Sequence, residues 1–401
     1  MPGYILMNRN VETALLQINT KKESHFVEKI EVLNKGSLPF PVKYSQEIAR
    51  RKAVENWISR RLLSEHRIGL SKVLNKTGRN RLESSLMSYS LSLSDGFWIK
   101  PEGDFSLDWN EINFFSNRFS YDVGNLIFGI DTTKPNYLTP DLTVNGRMEK
   151  TWRKKEGRTW LLKKGSAPYF EEPFNEKAVS TLLTKISKVP FVQYDVTFIQ
   201  RYAVSICENF ASEDIEFVSA ADLVKTSECP SYLPVDMHLR ERCKYFNIPN
   251  YKEFLDDIKI IDYLIGNMDR HLGNYGFLYD SESDRFVGPA PIFDNGSSLN
   301  CQDEIVQAEP INLVRQSSKR LAHELSHPEW FQLNKALIPE LKDILSSVYV
   351  ESAIDTDRAH AVELNLANRY AVLSDYIERE IELLPQKRQP KKQREKAEYE
   401  L

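Results

Sequence analysis

Residues 262–280 read DYLIGNMDRHLGNYGFLYD and pack Asp262, Asn267, Asp269, Arg270, His271 and Asn274 into thirteen positions between long apolar side chains. Burying so many polar groups is costly unless each finds a partner or a use. The stretch is either an irregular surface turn between two core elements or a catalytic loop. Just before it, YKEFLDDIKIIDYLI sets Phe254, Ile258, Ile261 and Ile265 on one helical stripe, and the helix ends near Gly266. After it, YGFLYD reads as a strand. Twenty residues past Asn274, the apolar APIF leads into Asp294 of DNGSSL.

Phosphoryl transfer needs this set of groups. One carboxylate, Asp269, orients or deprotonates the acceptor hydroxyl, while Asn274 and Asp294 offer the hard oxygens that Mg²⁺ prefers against the phosphates of ATP. Asp-x4-Asn followed by Asp-x-Gly matches the catalytic and metal loops of protein kinases, with DNG in place of DFG. A capped polar turn would explain the first pair alone. It does not predict a second Asp-x-Gly at the end of the next β-like stretch. His271 belongs to the same catalytic loop, where ordering the loop by hydrogen bonding is preferred to proton transfer as its role.

A kinase also needs a strand lysine for the phosphates and a helix carboxylate to hold that lysine. In TWLLKKGS, alternation places Leu161 and Lys163 on one face, which selects Lys163, with Lys164 as the rival. Glu176, early in a helix starting near Pro173, is the matching carboxylate; Glu171 and Glu172 are alternatives. RMEKTWRKKEGRTWLLKK reads as two strands turning near Gly157, and YDVTFIQRYAVSICENF as two more. The order is strand, strand, helix, strand, strand. Glu208 and Phe210 close the last strand and would offer backbone groups to the adenine edge. No GxGxxG precedes the lysine strand. In its place TPDLTVNGRMEK offers Thr143, Asn145 and Gly146 to phosphate, or else forms a plain hairpin turn.

At these residues the chain resembles the HipA-like kinase family of bacteria, and DRHLGN is similar to the catalytic loop of phosphoinositide kinases. The resemblance covers roughly residues 85–310 through LTPDLTVNG, WLLKKGSAPYFEEPFNE, VSICENF, GNMDRHLGNYGF and FDNGSSL. It implies an α+β, two-lobed protein-kinase-like fold, with a small β-rich N-lobe and a larger helical C-lobe, behind an additional N-terminal domain. It also implies ATP and Mg²⁺ as cofactors, Ser/Thr phosphorylation, and in many members a toxin restrained by an antitoxin or DNA-binding partner. By position, Asp269 is the catalytic Asp, Asn274 and Asp294 the metal ligands, and Lys163 the nucleotide lysine. Members that phosphorylate their own phosphate loop would point to Thr139 or Thr143.

The expected divisions are an accessory domain over 1–130, an N-lobe over 131–213 with a hinge near 208–213, a C-lobe over 214–385, and a charged tail over 386–401. The first 85 residues fall outside the resemblance. The 401 residues carry a net charge of −4, which argues for no particular partner, and 41% hydrophobic content, enough for a sizeable core. Four scattered cysteines without a CxxC pair fit a reducing compartment. No leader is read at the start, and no apolar run reaches the roughly 20 residues needed to span a bilayer, so a cytoplasmic protein is expected. Residues 43–81 hold eleven Lys or Arg against three Glu, a helix that either packs its own domain, the preferred reading, or meets nucleic acid. The aromatics of 90–130 are read as packing groups rather than a base-stacking platform.

Two other functions compete. HELSH, at 323–327, fits the H-E-x-x-H zinc-peptidase pattern, but Pro328 stops the helix at once, and Glu340, Glu351 and His360 downstream make no convincing third-ligand motif. A kinase scaffold that binds an antitoxin or nucleic acid without catalysis is the other. It sits poorly with a complete set of catalytic groups.

Overall fold

The N-terminal segment, whose first 85 residues fall outside the sequence resemblance, builds a four-stranded antiparallel sheet in the computed structural model, which describes residues 3–301, 303–331, 333–352 and 354–387. Strands β1 (Gly3–Asn8), β2 (Val11–Ile18), β3 (Val27–Val32) and β4 (Phe97–Pro101) lie in the order β3-β2-β1-β4. Leu6, Leu16, Phe97 and Ile99 pack with Val54, Trp57 and Ile58 of helix α1 (Arg50–Ser59). Their strand neighbours Ile5, Met7 and Trp98 pack on the other face with Leu91, Leu93, Trp109 and Phe114. Apart from the exposed Phe105, the rings of 90–130 are thus packing groups. In the basic stretch, six of its eleven cations pair with acids: Lys43, Arg51, Arg60, Arg61, Lys76 and Arg81. Lys43 and Arg60 reach Asp284 and Asp222 of the C-lobe, and the other four pair within residues 51–131.

The second sheet is the lobe that the strand-strand-helix-strand-strand pattern predicts. β5 (Lys150–Lys155) and β6 (Arg158–Lys164) form a hairpin whose turn residues Glu156 and Gly157 take φ of 53° and 78°. Helix α2 (Glu172–Ile186) follows, then β7 (Tyr194–Ile199) and β8 (Tyr202–Glu208), giving the order β5-β6-β8-β7. The hairpin turn expected at Asn145-Gly146 is not formed. No described strand lies between β4 and β5, so the pair closes a loop instead. Gly146 has a φ of 103°, and a Cβ there would fall 2.7 Å from Lys150 Nζ. The positive φ is what favours glycine here, since the tip of the lysine side chain could give way.

The remaining lobe is mainly helical. It carries a small sheet, β11-β10-β9, from β9 (Ile215–Ser219), β10 (Gly276–Asp280) and β11 (Arg285–Pro289). Its longer helices are α3 (Val235–Tyr245), α4 (Tyr251–Ile265), α5 (Ile311–Glu324), α6 (Ile338–Tyr349) and α7 (Thr356–Lys387). Phe254, Ile258, Ile261 and Ile265 are all buried in one core with Phe277, Leu345 and Tyr370. Gly266 ends α4 at a φ of 61°, a conformation that suits glycine. The whole is an α+β, two-lobed protein-kinase-like fold behind an N-terminal domain. Of the expected tail, residues 388–401 lie outside the described residues. No described helix is long and apolar enough to cross a membrane.

The strand β5 is pinned to the segment before it by tight packing around Asp141. Its carboxylate accepts from Trp152 N and Thr151 Oγ1, both at 2.8 Å, and Gly124 of the short helix Asp122–Ile127 lies against it. A Cβ on Gly124 would collide with Thr151 Oγ1 and sit 2.5 Å from Asp141 Oδ2. Gly124→Ala should therefore cost about 1–3 kcal/mol of unfolding free energy. Denaturant titration checks this, and an unchanged midpoint would contradict the packing described.

Candidate active site

The three elements expected to carry charge meet at one ammonium. Lys163 Nζ on β6 lies 2.6 Å from Glu176 Oε1 on α2 and 2.5 Å from Asp294 Oδ1 beyond β11. Burial works against the Lys163 charge, but Asp294 and Glu176 outweigh it and hold its pKa above the ordinary lysine value. Burial would raise the Asp294 carboxyl, yet Lys163 and Lys150 hold it far below the usual range. Burial raises Glu176, and Lys163 opposes it. Lys164 points elsewhere, paired with Glu149 at 2.7 Å and 3.7 Å from the centre of the Tyr202 ring. The other carboxylates of EEPFNE have other partners: Glu171 pairs with Arg358, and Glu172 accepts from Ser166 N at 3.0 Å.

Lys163 faces a cavity of about 950 Å³, a size that suits a nucleotide-sized ligand. Asp269, His271, Asn274, Asp294, Glu208, Phe210, Thr143 and Gly146 line the same cavity, and Glu176 stands behind Lys163. Asn274 donates its Nδ2 to Asp269 O at 3.0 Å, which leaves its Oδ1 as the atom available to a cation. His271 accepts from Gly273 N at 3.0 Å through Nδ1, a contact that orders the loop. The Asp269 carboxylate is exposed and has no hydrogen-bond partner among the described residues. Asn209 donates its N–H to Thr159 O at 2.8 Å, so by strand alternation Glu208 directs its backbone groups to the opposite edge. Pairing with β7 has ended there at Cys207. The Phe210 ring packs on Phe217 and Phe293 at that end of the cavity.

Three features were not expected from the sequence. Arg270, listed in the polar cluster without a role, donates from Nε to both oxygens of Asp262 at 3.1 Å. It also donates to Asn274 O at 3.1 Å, to Phe293 O at 2.7 Å and to Asn295 Oδ1. One guanidinium ties the end of α4, the catalytic loop and the metal loop together. Asn295, in the place of the DFG phenylalanine, also donates its N–H to Glu176 Oε2 at 3.0 Å. Lys150 is opposite Lys163 in the β5–β6 register, and burial pushes its amine down to about 8; Asp294 opposes this, while Arg67 and Lys163 add to it. Its signal was the lysine four residues after Gly146.

The N-terminal domain grips the loop beside this second lysine. Arg67 Nη2 donates to Val144 O at 2.6 Å and Asn145 O at 3.2 Å, while Asn209 Nδ2 donates to Leu93 O at 2.9 Å. Thr143 corrects an expectation. Its hydroxyl donates to Leu91 O at 2.7 Å and Pro140 O at 3.0 Å, so it is not presented to phosphate. Thr139 is fully buried as well. Neither threonine offers an accessible acceptor hydroxyl in this conformation.

The zinc-peptidase alternative lacks its geometry. Helix α5 ends at Glu324, so the imidazoles of His323 and His327 do not share a helical face. His323 Nδ1 meets Glu380 at 2.7 Å, and the His327 N–H goes to Asp256. No group of three or more His, Cys, Asp or Glu among the described residues could hold a metal ion. Mg²⁺ at a nucleotide site needs no such cage, since one or two protein oxygens with waters and phosphates suffice. Asn274 Oδ1 and the Asp294 carboxylate fit that donor set.

The depressed amine of Lys150 gives a test independent of any substrate. At pH 8 about half of it is uncharged, whereas an ordinary lysine near 10.4 is almost wholly protonated. A substoichiometric amine-reactive reagent should modify Lys150 ahead of surface lysines, at a rate rising as pH passes through 8. Peptide mapping reads this, and late modification of Lys150 would contradict the electrostatics.

No protein-family model matches the sequence. An alignment 125 positions long, covering 29% of this chain, is 30% identical to the serine/threonine-protein kinase CtkA of Helicobacter pylori. The match spans only 38% of that relative's length. The crystal structure of CtkA, described as a proinflammatory kinase, aligns with 58% of this chain and 94% of its own, at 18% identity and a TM-score of 0.45. HipA from Shewanella oneidensis MR-1, solved with HipB and its operator DNA as a toxin–antitoxin system, aligns over 95% of this chain and 99% of its own. That alignment has a TM-score of 0.53 at 13% identity, a likeness of fold. In fold over nearly its whole length, and in sequence over the CtkA segment, this chain resembles the HipA-like serine/threonine kinases.

Proposed function

We propose that this chain is an ATP- and Mg²⁺-dependent phosphotransferase of the HipA-like type that phosphorylates a Ser or Thr hydroxyl of a protein. The observation that carries the reading is the convergence of Lys163, Glu176 and Asp294 at one wall of a cavity that Asp269 and Asn274 also line.

Each residue has a separable task. Lys163 and Lys150 neutralise phosphate oxygens, and Glu176 holds Lys163 in place. Glu208 offers backbone groups to the adenine edge, and the Phe210 ring closes the apolar end. Asn274 and Asp294 hold Mg²⁺, which when bound neutralises charge on the phosphates. Asp269 takes the proton of the acceptor hydroxyl as its oxygen bonds to the γ-phosphorus, the bridging P–O bond breaks, and ADP leaves. The base has no competing protein partner among the described residues, so it is available to that hydroxyl. His271 keeps the loop in shape.

A toxin role with an antitoxin of the HipB kind, acting in the cytoplasm, is the biological setting this reading extends from the HipA structure. Direct contact with nucleic acid is not part of it, since the basic stretch around α1 is largely paired internally.

Labelled ATP with Mg²⁺, followed by mass spectrometry of this chain and of lysate proteins, tests the activity. Asp269→Asn should lower transfer by roughly 10²- to 10⁴-fold while nucleotide binding persists. Asp294→Asn should instead weaken Mg-nucleotide binding. Wild-type transfer rates in both variants would overturn the assignment.

A further inference from the structure

The helix that carries Glu176 is held from outside by the C-terminal helices. Arg358, in the first turn of α7, pairs with Glu171 at the start of α2: Nε lies 2.9 Å from Oε1, and Nη2 donates to Oε2 at 3.1 Å. The same guanidinium donates to Asn300 O at 2.7 Å and Asp303 O at 2.5 Å, in the segment that leaves the metal loop. Other contacts run alongside. Tyr349 OH on α6 donates to Asn175 Oδ1 at 3.2 Å, while Asn175 Nδ2 donates to Ser298 O at 2.8 Å. Lys177 pairs with Glu351 at 2.9 Å and Lys185 with Glu340 at 2.5 Å.

A cation at a helix N-terminus opposes the helix dipole, so Arg358 is poorly placed to stabilise α2 as a helix. What the fork does is fix a position. It sets the first turn of α2 against the exit of the metal loop, and Glu176 and Asp294 are the residues those two segments bring to Lys163.

We propose that Arg358 is a positioning residue for phosphoryl transfer, and that the junction of α6 and α7 acts as a built-in strut keeping Glu176 and Asp294 on Lys163. This rests on the phosphotransferase reading of the cavity. Arg358 touches neither the adenine end nor the proposed base. Its loss should therefore act only through the placement of Glu176 and Asp294, on Mg-nucleotide binding as well as on the chemical step.

The test compares Arg358→Ala, Arg358→Lys, Glu171→Gln and the Ala/Gln double variant in two assays on the full chain. In the first, Arg358→Ala should lower kcat by about 10- to 100-fold, the scale of a misplacement near 1 Å, and raise KM for Mg-ATP as well, because the displaced Asp294 is also the proposed metal ligand. The double variant should lose little more than either single one, because the residues act as a unit. Arg358→Lys, which keeps the charge but not the fork, should recover part of the rate. In the second assay, which needs no turnover, backbone amides of 172–178 should exchange roughly tenfold faster in Arg358→Ala, with α4 unchanged. A folded Arg358→Ala with wild-type kcat, additive losses, or unchanged exchange over α2 would each overturn the strut. Should the wild-type chain transfer no phosphate, the functional reading fails, and the exchange assay still decides whether Arg358 holds α2.

Discussion

Everything in the cleft depends on one buried ammonium between two carboxylates. Lys163 comes from a sheet, Glu176 from the helix behind it and Asp294 from the other lobe, so a single set of charges joins the two lobes. Lys163 and Glu176 are taken out of water and Asp294 only partly, which is tolerated because each has a close counter-charge or donor. Removing one partner of such a buried pair typically costs about 3–5 kcal/mol, because the others are left uncompensated. Glu176 accepts at its second oxygen from Asn295 N, and Asp294 lies at a positive φ of 58° that aims it back toward Lys163. The arrangement holds phosphate-binding charge in place before any phosphate arrives, which is what electrostatic preorganisation requires.

The rest of the molecule reads as support for that set. Arg270 locks the catalytic loop to the metal loop from within the C-lobe. The N-terminal domain supplies Arg67 to the loop over Lys150 and the Leu93 carbonyl to Asn209 beside the adenine edge. Its strands β1 and β4 are covered on both faces, and Trp57, Ser92 and Asp95 still reach the wall of the cavity. An accessory domain so placed contributes to the cleft as well as to folding.

Local patterns made much of this legible. The α4 stripe, the Gly266 stop, the hairpin at Gly157 and the choice of Lys163 over Lys164 all follow from periodicity and turn chemistry within a dozen residues. Strands β1 and β4 are not legible in the sequence, since with both faces buried they lack the apolar–polar alternation that marks a half-exposed strand. Asn145-Gly146 carries a hairpin signature but closes a loop beside Lys150, with Gly146 at positive φ. The Thr143 hydroxyl looked available because nothing local reveals its bond to Leu91 O, 52 residues away. Arg358 lies 187 residues from Glu171, and no sequence spacing announces such a pair.

The most direct measurement is a crystal structure of this chain with Mg²⁺ and a non-hydrolysable ATP analogue. The account predicts phosphate oxygens within about 3 Å of Lys163 Nζ, with the cation between Asn274 Oδ1 and the Asp294 carboxylate and adenine against the Glu208 backbone. Nucleotide bound elsewhere, or bound in this cleft without a cation at Asn274 and Asp294, would contradict it.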